Sequence, residues 1–263
     1  MTPFAALRGL RVGCVQYLNA KPLIAPYDGE VVFEHPARLA DLLAAGEINV
    51  ALVPAFEALR QPEFPIVDGV AIASRGPVHS VFLAHQCGVG ELRVVALDPA
   101  SRTSSNLTRC LLAEFHGLRP VFEPSSQSTE SPSGDRGLLL IGNQAIRFRE
   151  VNREGLRYMD LGEEWLARTG LPFVYAVWQI RPEVRNIEAV AAALRAVKAA
   201  GVRRVREIAR LQREFDSEFA ERYLTSHIQF GLKEEEKKGL AKFRALLQKH
   251  GLIAPSEVPL RFV

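Results

Sequence analysis

The sequence predicts an α/β protein of two lobes with a central cleft and a helical C-terminal tail. Three observations carry this expectation. Short apolar runs alternate with helix-like segments up to about residue 180, the pattern of β-α units around mostly parallel sheets. From Ile187 to about His250 the pattern is helical, with Ala-rich and then Lys/Glu-rich faces and no further strand. The order of the runs also takes the chain between lobes twice, near "VALD" (95–98) and near "LPFVYAVW" (171–178). Two crossings make a hinge, and a cleft between lobes is a natural ligand site. The reading therefore assigns 1–96 plus 176–263 to one discontinuous lobe and 97–175 to an inserted one.

The first buried strand, Arg11–Val15, halts at Asn19, with Pro22 three residues further on. Asn is a good helix N-cap and Pro is tolerated in a first turn, so Asn19 marks a strand-to-helix corner ahead of a helix over 20–26. Such corners at the carboxyl ends of strands are where α/β proteins bind ligands. Val31–Glu34 then reads as a strand before a helix over 37–45, and "INVALVP" (48–54) as a strand before a helix over 55–60. Strand-like runs follow at "GVAIAS" (69–74), "SVFLAH" (80–85) and "LRVVALD" (92–98). A strong helix after "DPASRTSSN" carries Leu107, Leu111, Leu112 and Phe115 to a stop at Gly117. The polar, Ser- and Pro-rich stretch 124–135 reads as a surface loop. "GLLLIG" (137–142) and "LRYMDLG" (156–162) are strands, and "FVYAVWQI" (173–180) is the most β-prone window in the chain. There is no internal repeat.

Composition narrows the class of function. The 263 residues are 48% hydrophobic and 24% charged, as in ordinary folded proteins, and the net charge of +3 gives no electrostatic case for nucleic acid. The densest basic stretch, 195–213, places its Arg and Lys between apolar residues at helical spacing, which makes an amphipathic helix with a solvated basic face. Cys14, Cys87 and Cys110 are widely spaced, with no Cys-x-x-Cys pair, and read as small apolar residues of a reducing compartment. No signal segment and no run of about eighteen apolar residues occurs, so a cytoplasmic protein with no membrane partner is expected. Dinucleotide, Walker, Gly-x-Ser-x-Gly and metal-ligand motifs are missing, so no cofactor and no metal is expected.

Two segments join the Asn19 corner as candidates for chemistry. In "SRGPVHSVFLAH" (74–85), Gly76-Pro77 forms a turn before a strand that starts at Ser80, a geometry that aims backbone N–H groups and a hydroxyl. In "LDPASRTSSNL" (97–107), Ser101, Thr103, Ser104 and Ser105 crowd a helix start, where one hydroxyl suffices for a cap. The surplus fits an anion held at the positive end of the helix, with Arg102 beside it.

The segments "RVGCVQYLNAKPL", "INVALVPAFE", "IASRGPVHSVFL", "VALDPASRTSSNL", "LLLIGNQAI" and "DLGEEWLARTGLPFVYAVW" together resemble, in order and over about 11–178, the chorismate dehydratases of the futalosine route to menaquinone. The resemblance implies a type II periplasmic-binding-protein-like fold. It also implies a lyase that removes water from chorismate to give 3-[(1-carboxyvinyl)oxy]benzoate. Asn19 and Ser80 are then the expected catalytic residues. Tyr17, Gly76, Val78, Ser101, Arg102, Thr103, Ser104 and Ser105 are the expected substrate-binding ones. Two departures stand out: Asn143 occupies a place where the family pattern has Asp, and 124–135 lacks the helix expected before the next strand. The sister dihydroxynaphthoate synthase and a non-catalytic anion-binding protein are the alternatives, and the oligomeric state is left open.

Overall fold

A computed structural model of the protein describes residues 4–125, 131–152 and 154–263. Its first strand, β1 (Val12–Cys14), is buried throughout and pairs on both sides, which suits its apolar sequence. Gly13 makes room for the helix layer beneath, because a Cβ there would lie 2.7 Å from Ile48 and 2.8 Å from Leu39. The sheet runs β2 (Val31–Phe33), β1, β3 (Val50–Pro54), β10 (Phe173–Ile180), β4 (Ile66–Ser74). The first three strands are parallel, and β10 is antiparallel to both of its neighbours. Helices α1 (Pro36–Ala45) and α2 (Ala55–Arg60) follow β2 and β3.

The second sheet repeats this plan. It runs β7 (Val121–Pro124), β6 (Val94–Leu97), β8 (Arg136–Ile141), β5 (Val81–His85), β9 (Arg157–Asp160). Again three strands are parallel and a fourth, β5, lies antiparallel between the third and an outer strand. Helices α3 (Arg102–Phe115), α4 (Gly142–Val151) and α5 (Leu161–Thr169) follow β6, β8 and β9. In each sheet the antiparallel strand is the one the chain delivers from the other sheet: β5 arrives from β4, and β10 from β9 by way of α5. A main apolar core threads both sheets, and a smaller cluster around Phe82, Leu138, Leu140 and Phe148 fills the far face of the second.

The structure corrects two local expectations. The first passage between sheets is not at "VALD" but between Ser74 and Val81, so β5 and β6, expected in the first lobe, belong to the second sheet. An apolar run such as "VFLAH" satisfies either sheet locally; its partners β8 and β9 decide the matter, and they lie far along the chain. Asn19 is also not an N-cap. The corner is a 3₁₀ turn, Leu18–Leu23, whose N-cap position is Tyr17, and Asn19 sits inside it. Two further findings concern the inserted part. β7 was not foreseen, being an edge strand with Val121 65% exposed. Of the loop expected over 124–135, residues 126–130 lie outside the described residues.

The tail consists of α6 (Ile187–Arg203), α7 (Val205–Leu211), α8 (Ser217–Arg222), which runs on into a π-helical turn Tyr223–His227, and α9 (Glu234–Lys249). α6 braces the first corner at close range: a Cβ on Gly201 would fall 1.9 Å from the Pro22 carbonyl oxygen. α9 packs on β10 and α3, and Glu114 of α3 pairs with Lys249 at 2.7 Å and His250 at 3.0 Å. Cys14 and Cys110 are buried free thiols, both pushed up to about 12 by burial, while Cys87 is half-buried. Among the described residues no helix is long and apolar enough to cross a membrane.

Candidate active site

The carboxyl ends of β1, β3, β6 and β8 converge on a cleft between the sheets with a cavity of about 70 Å³. Its walls are mostly apolar, with Val15, Leu52, Ile72, Val81 and Ile141 among them, and a small set of polar groups interrupts them. An apolar lining with a few placed polar groups is that of a small-molecule site. Of the sequence-predicted residues, Tyr17, Asn19, Val78, Ser101, Arg102, Thr103 and Ser104 line the cleft. Ser80, Gly76 and Ser105 stand behind the wall.

Tertiary contacts settle where the Asn19 side chain stands. Leu18 and Leu23 fill the core around it, α6 closes from behind, and the side chain is left 9% exposed at the cleft. Its Oδ1 is buried and has no hydrogen-bond partner. Nearby in the same lobe interface, the Tyr223 hydroxyl is 2.7 Å from Ser80 Oγ. Ser80 itself is fully buried and outside the lining. Burial raises the Tyr223 phenol far above its ordinary value and keeps it neutral.

The Gly76 turn is the passage between sheets, and it is pinned on both sides. The Asp160 carboxylate accepts from the backbone N–H groups of Val78 (3.0 Å) and His79 (2.7 Å) while capping α5 through Gly162 and Glu163. Ser74 Oγ donates to the Gly76 carbonyl at 3.0 Å, which leaves the Tyr175 hydroxyl as the donor of the 3.0 Å contact with Ser74. Gly76 has φ +102°, a backbone region L side chains avoid, and Gly162 is forced because a Cβ there would be 2.5 Å from the Gly76 oxygen. Val78 and Tyr175 are thereby presented to the cleft.

On the opposite wall α3 begins with Ser101 at its N-cap, and no side chain caps the helix. Ser101, Thr103 and Ser104 are buried at this positive end of the helix. Thr103 Oγ1 accepts the Phe56 N–H at 3.1 Å, a bridge between lobes. Ser105 leans away, its hydroxyl 3.4 Å from the Asp98 carbonyl. Arg102 was expected to meet the ligand, but its guanidinium is engaged across the cleft mouth with Asp41 at 2.9 and 3.0 Å and with Glu57 at 3.1 Å. Glu57, 2% exposed, also holds Arg60 at 3.0 and 2.5 Å, so it is a structural counter-ion outside the lining.

Asn143 closes the circuit. Its Oδ1 accepts the Leu18 N–H at 2.9 Å and its Nδ2 donates to Glu214 at 2.8 Å, where Arg147 also binds at 2.7 Å. Gly142 before it, with φ +60°, lies flat on the Tyr17 ring, 3.1 Å from where its Cβ would be. An amide suits this position, since it must both accept from a backbone N–H and donate to a carboxylate. Among the described residues the cleft lining contains no His, Asp or Glu. Its phenols are not bases either: burial, then Asp98, pushes Tyr17 up to about 12, and burial, then Asp160, raises Tyr175 well above the ordinary value. The wall offers hydrogen bonds and a helix dipole, and no side chain ready to take a proton.

Tyr175, Tyr223 and Asn143 were not singled out as site residues from sequence. Tyr175 reads as one more β-prone residue of its strand, and Tyr223 as an apolar-face residue of the tail. Only Asn143 carried a signal, as a departure from a pattern.

Comparison with known proteins agrees with this architecture. A chorismate dehydratase of Thermus thermophilus is 34% identical over 226 residues, 77% of this chain and 81% of that protein. Among solved structures, AF1704 from Archaeoglobus fulgidus superposes with a TM-score of 0.72 at 16% identity, over 93% of this chain and 98% of that one. The Candida albicans CA3427 product, described as having the generic periplasmic binding protein fold, gives 0.64 at 13% identity, over 94% and 92%. The Escherichia coli aliphatic sulphonate binding protein SsuA gives 0.57 at 14%, over 96% and 91%. At such identities these likenesses speak for the fold alone, a two-lobed periplasmic-binding-protein-like one. Residues 10–249 match the family described as menaquinone biosynthesis, and the chain belongs to that family.

Proposed function

We propose that the chain is a cytoplasmic chorismate dehydratase, converting chorismate to 3-[(1-carboxyvinyl)oxy]benzoate and water for menaquinone synthesis. The observation that carries the reading is a cleft with anion-binding polarity on one wall, an uncharged amide on the other, and no ionisable base between them. It is supported by the likeness to the Thermus enzyme over most of both chains. Removal of the ring proton beside the enolpyruvyl ether leaves its electron pair to form the new double bond. The neighbouring hydroxyl departs as water and the ring becomes aromatic. Aromatisation drives the reaction, so orientation is what the protein must supply. A substrate carboxylate sits at the start of α3, between Ser101 and Ser104. The enolpyruvyl carboxylate of the substrate, held in place by Asn19, takes the ring proton and passes it to the departing hydroxyl, which leaves as water. The apolar walls exclude water and strengthen each of these contacts.

Incubation of the purified protein with chorismate tests this directly. Mass spectrometry should show a product lighter by one water, with an aromatic absorbance growing in step. Chorismate recovered intact, or conversion only of a cyclic futalosine substrate, would overturn the reading.

A further inference from the structure

The cleft is shut in this structure. Its cavity of about 70 Å³ is smaller than the roughly 150 Å³ that accommodates a benzene ring, so the lobes must part before any ring-bearing ligand can enter. Beside it lies an outer groove of about 960 Å³, lined by Tyr17, Arg38, Asp41, Asp98 and Arg147 among others. Tyr17 borders both spaces. Between them stand Arg102, which lines the cleft, and Asp41, which lines the groove.

Arg102 belongs to α3 of the second lobe and Asp41 to α1 of the first. The guanidinium meets both Asp41 carboxylate oxygens, at 2.9 and 3.0 Å, and reaches Glu57 of α2 at 3.1 Å. The next residue makes a second tie: Thr103 Oγ1 accepts the Phe56 N–H at 3.1 Å, in the first turn of α2, which has no side-chain cap of its own. Two consecutive residues of α3 thus hold two helices of the opposite lobe. We infer that the Arg102–Asp41 pair is the gate of the active site, closing the cleft against the outer groove until an anionic, ring-bearing ligand arrives there and the pair lets go.

The ties are arranged so that they can come apart. The Asp41 side chain is 47% exposed, so its carboxylate returns to water at little cost. Glu57, 2% exposed, is a charge that would be expensive to strand. Arg60, within the same helix, holds it at 3.0 and 2.5 Å and stays with it when Arg102 leaves. A ligand carboxylate coming from the groove competes with Asp41 for the same guanidinium, and the cleft opens as Asp41 is displaced.

Asp41→Asn and Arg102→Gln test the gate as a pair, because they change the charge at the mouth in opposite directions. Both should speed the association of chorismate about three- to tenfold in stopped-flow fluorescence, since each raises the fraction of protein that can admit it. Both should raise kcat/KM without raising kcat, and the double variant should gain no more than the better single one. Association that is unchanged or slower in either variant would overturn the inference: opposite signs would mark simple attraction of an anion, and slowing in both a merely structural pair. In the ligand-free protein, both variants should show a larger radius of gyration by solution scattering and a Phe56 amide that loses protection from hydrogen exchange. An unchanged radius or a still-protected amide would overturn the gate whatever the kinetics. The inference rests on the reaction proposed above for its ligand; a parent protein inert toward chorismate would overturn that reaction, and scattering and exchange would still decide the gate.

Discussion

The corner after β1 and the corner after β6 occupy equivalent places in two sheets of the same strand order, and they face one another across the cleft. Their chemistry is nonetheless opposed. The first is a short 3₁₀ turn, packed under α6, that exposes one neutral amide with an unfilled acceptor. The second opens a helix of 14 residues with several hydroxyls, no side-chain cap and the positive end of the dipole. Under the proposed function, one plan used twice yields an orienting wall and an anchoring wall. The difference teaches that topology supplies the place for a ligand, while the local turn decides what is offered to it.

If this division of labour holds, the two corners respond differently to mutation. Asn19→Ala should give the largest effect, a loss of about 10²–10³ in kcat, as for removal of a positioned polar group in a closed site. Its melting temperature should stay near the parent's, because Oδ1 has no hydrogen-bond partner in the folded protein. Equal losses in kcat and in substrate affinity would erase the contrast between walls.

Ser104→Ala should act on binding. One lost hydrogen bond at roughly 1–1.5 kcal/mol raises the substrate dissociation constant about 5–10-fold, read by calorimetry, with kcat changing less. Thr103→Val is a less clean probe, since Thr103 already accepts the Phe56 N–H and its loss also loosens the bridge between lobes. Unchanged affinity in Ser104→Ala would remove the α3 start from the site.

The smallest effect concerns the passage between the two sheets. His79 has φ +67° and is pulled down to about 4, by burial first and then by Arg149, His227 and Arg222. The ordinary imidazole value is 6.5, so between pH 6.5 and about 4 the unfolded chain binds a proton that the folded chain refuses. Stability from this group is therefore complete above that window and is lost as the pH falls through it. His79→Asn retains a residue tolerant of positive φ and removes the titration. Its melting temperature should fall less steeply than the parent's between about pH 7 and pH 5. Parallel slopes would show that His79 does not set the acid response.

Much of this fold is legible locally. The order of strands and helices follows from apolar periodicity, and the start of α3 from its crowd of hydroxyls, since both are properties of a few neighbouring residues. The errors share a cause as well. "VFLAH" looks the same whichever sheet it joins, β7 is half-exposed and paired on one side only, and Asn19 beside a proline has every local mark of a cap. Tyr223 is hidden for a stronger reason: in an amphipathic tail an aromatic residue at helical spacing is indistinguishable from core.

The sequence by itself determined the element order, the two-lobed α/β class, the helical tail and three segments that gather near one cleft, because each is written in short-range pattern. Tertiary structure alone decided where the chain passes between sheets, that Arg102 at the cleft pairs with Asp41 and Glu57, and that Asn143 bridges the lobes. It alone also set the Tyr223 hydroxyl against Ser80, 2.7 Å away. Those outcomes depend on which distant partner satisfies a buried polar group, and a buried donor or acceptor must be satisfied by whatever the fold brings within reach, not by its neighbours in sequence.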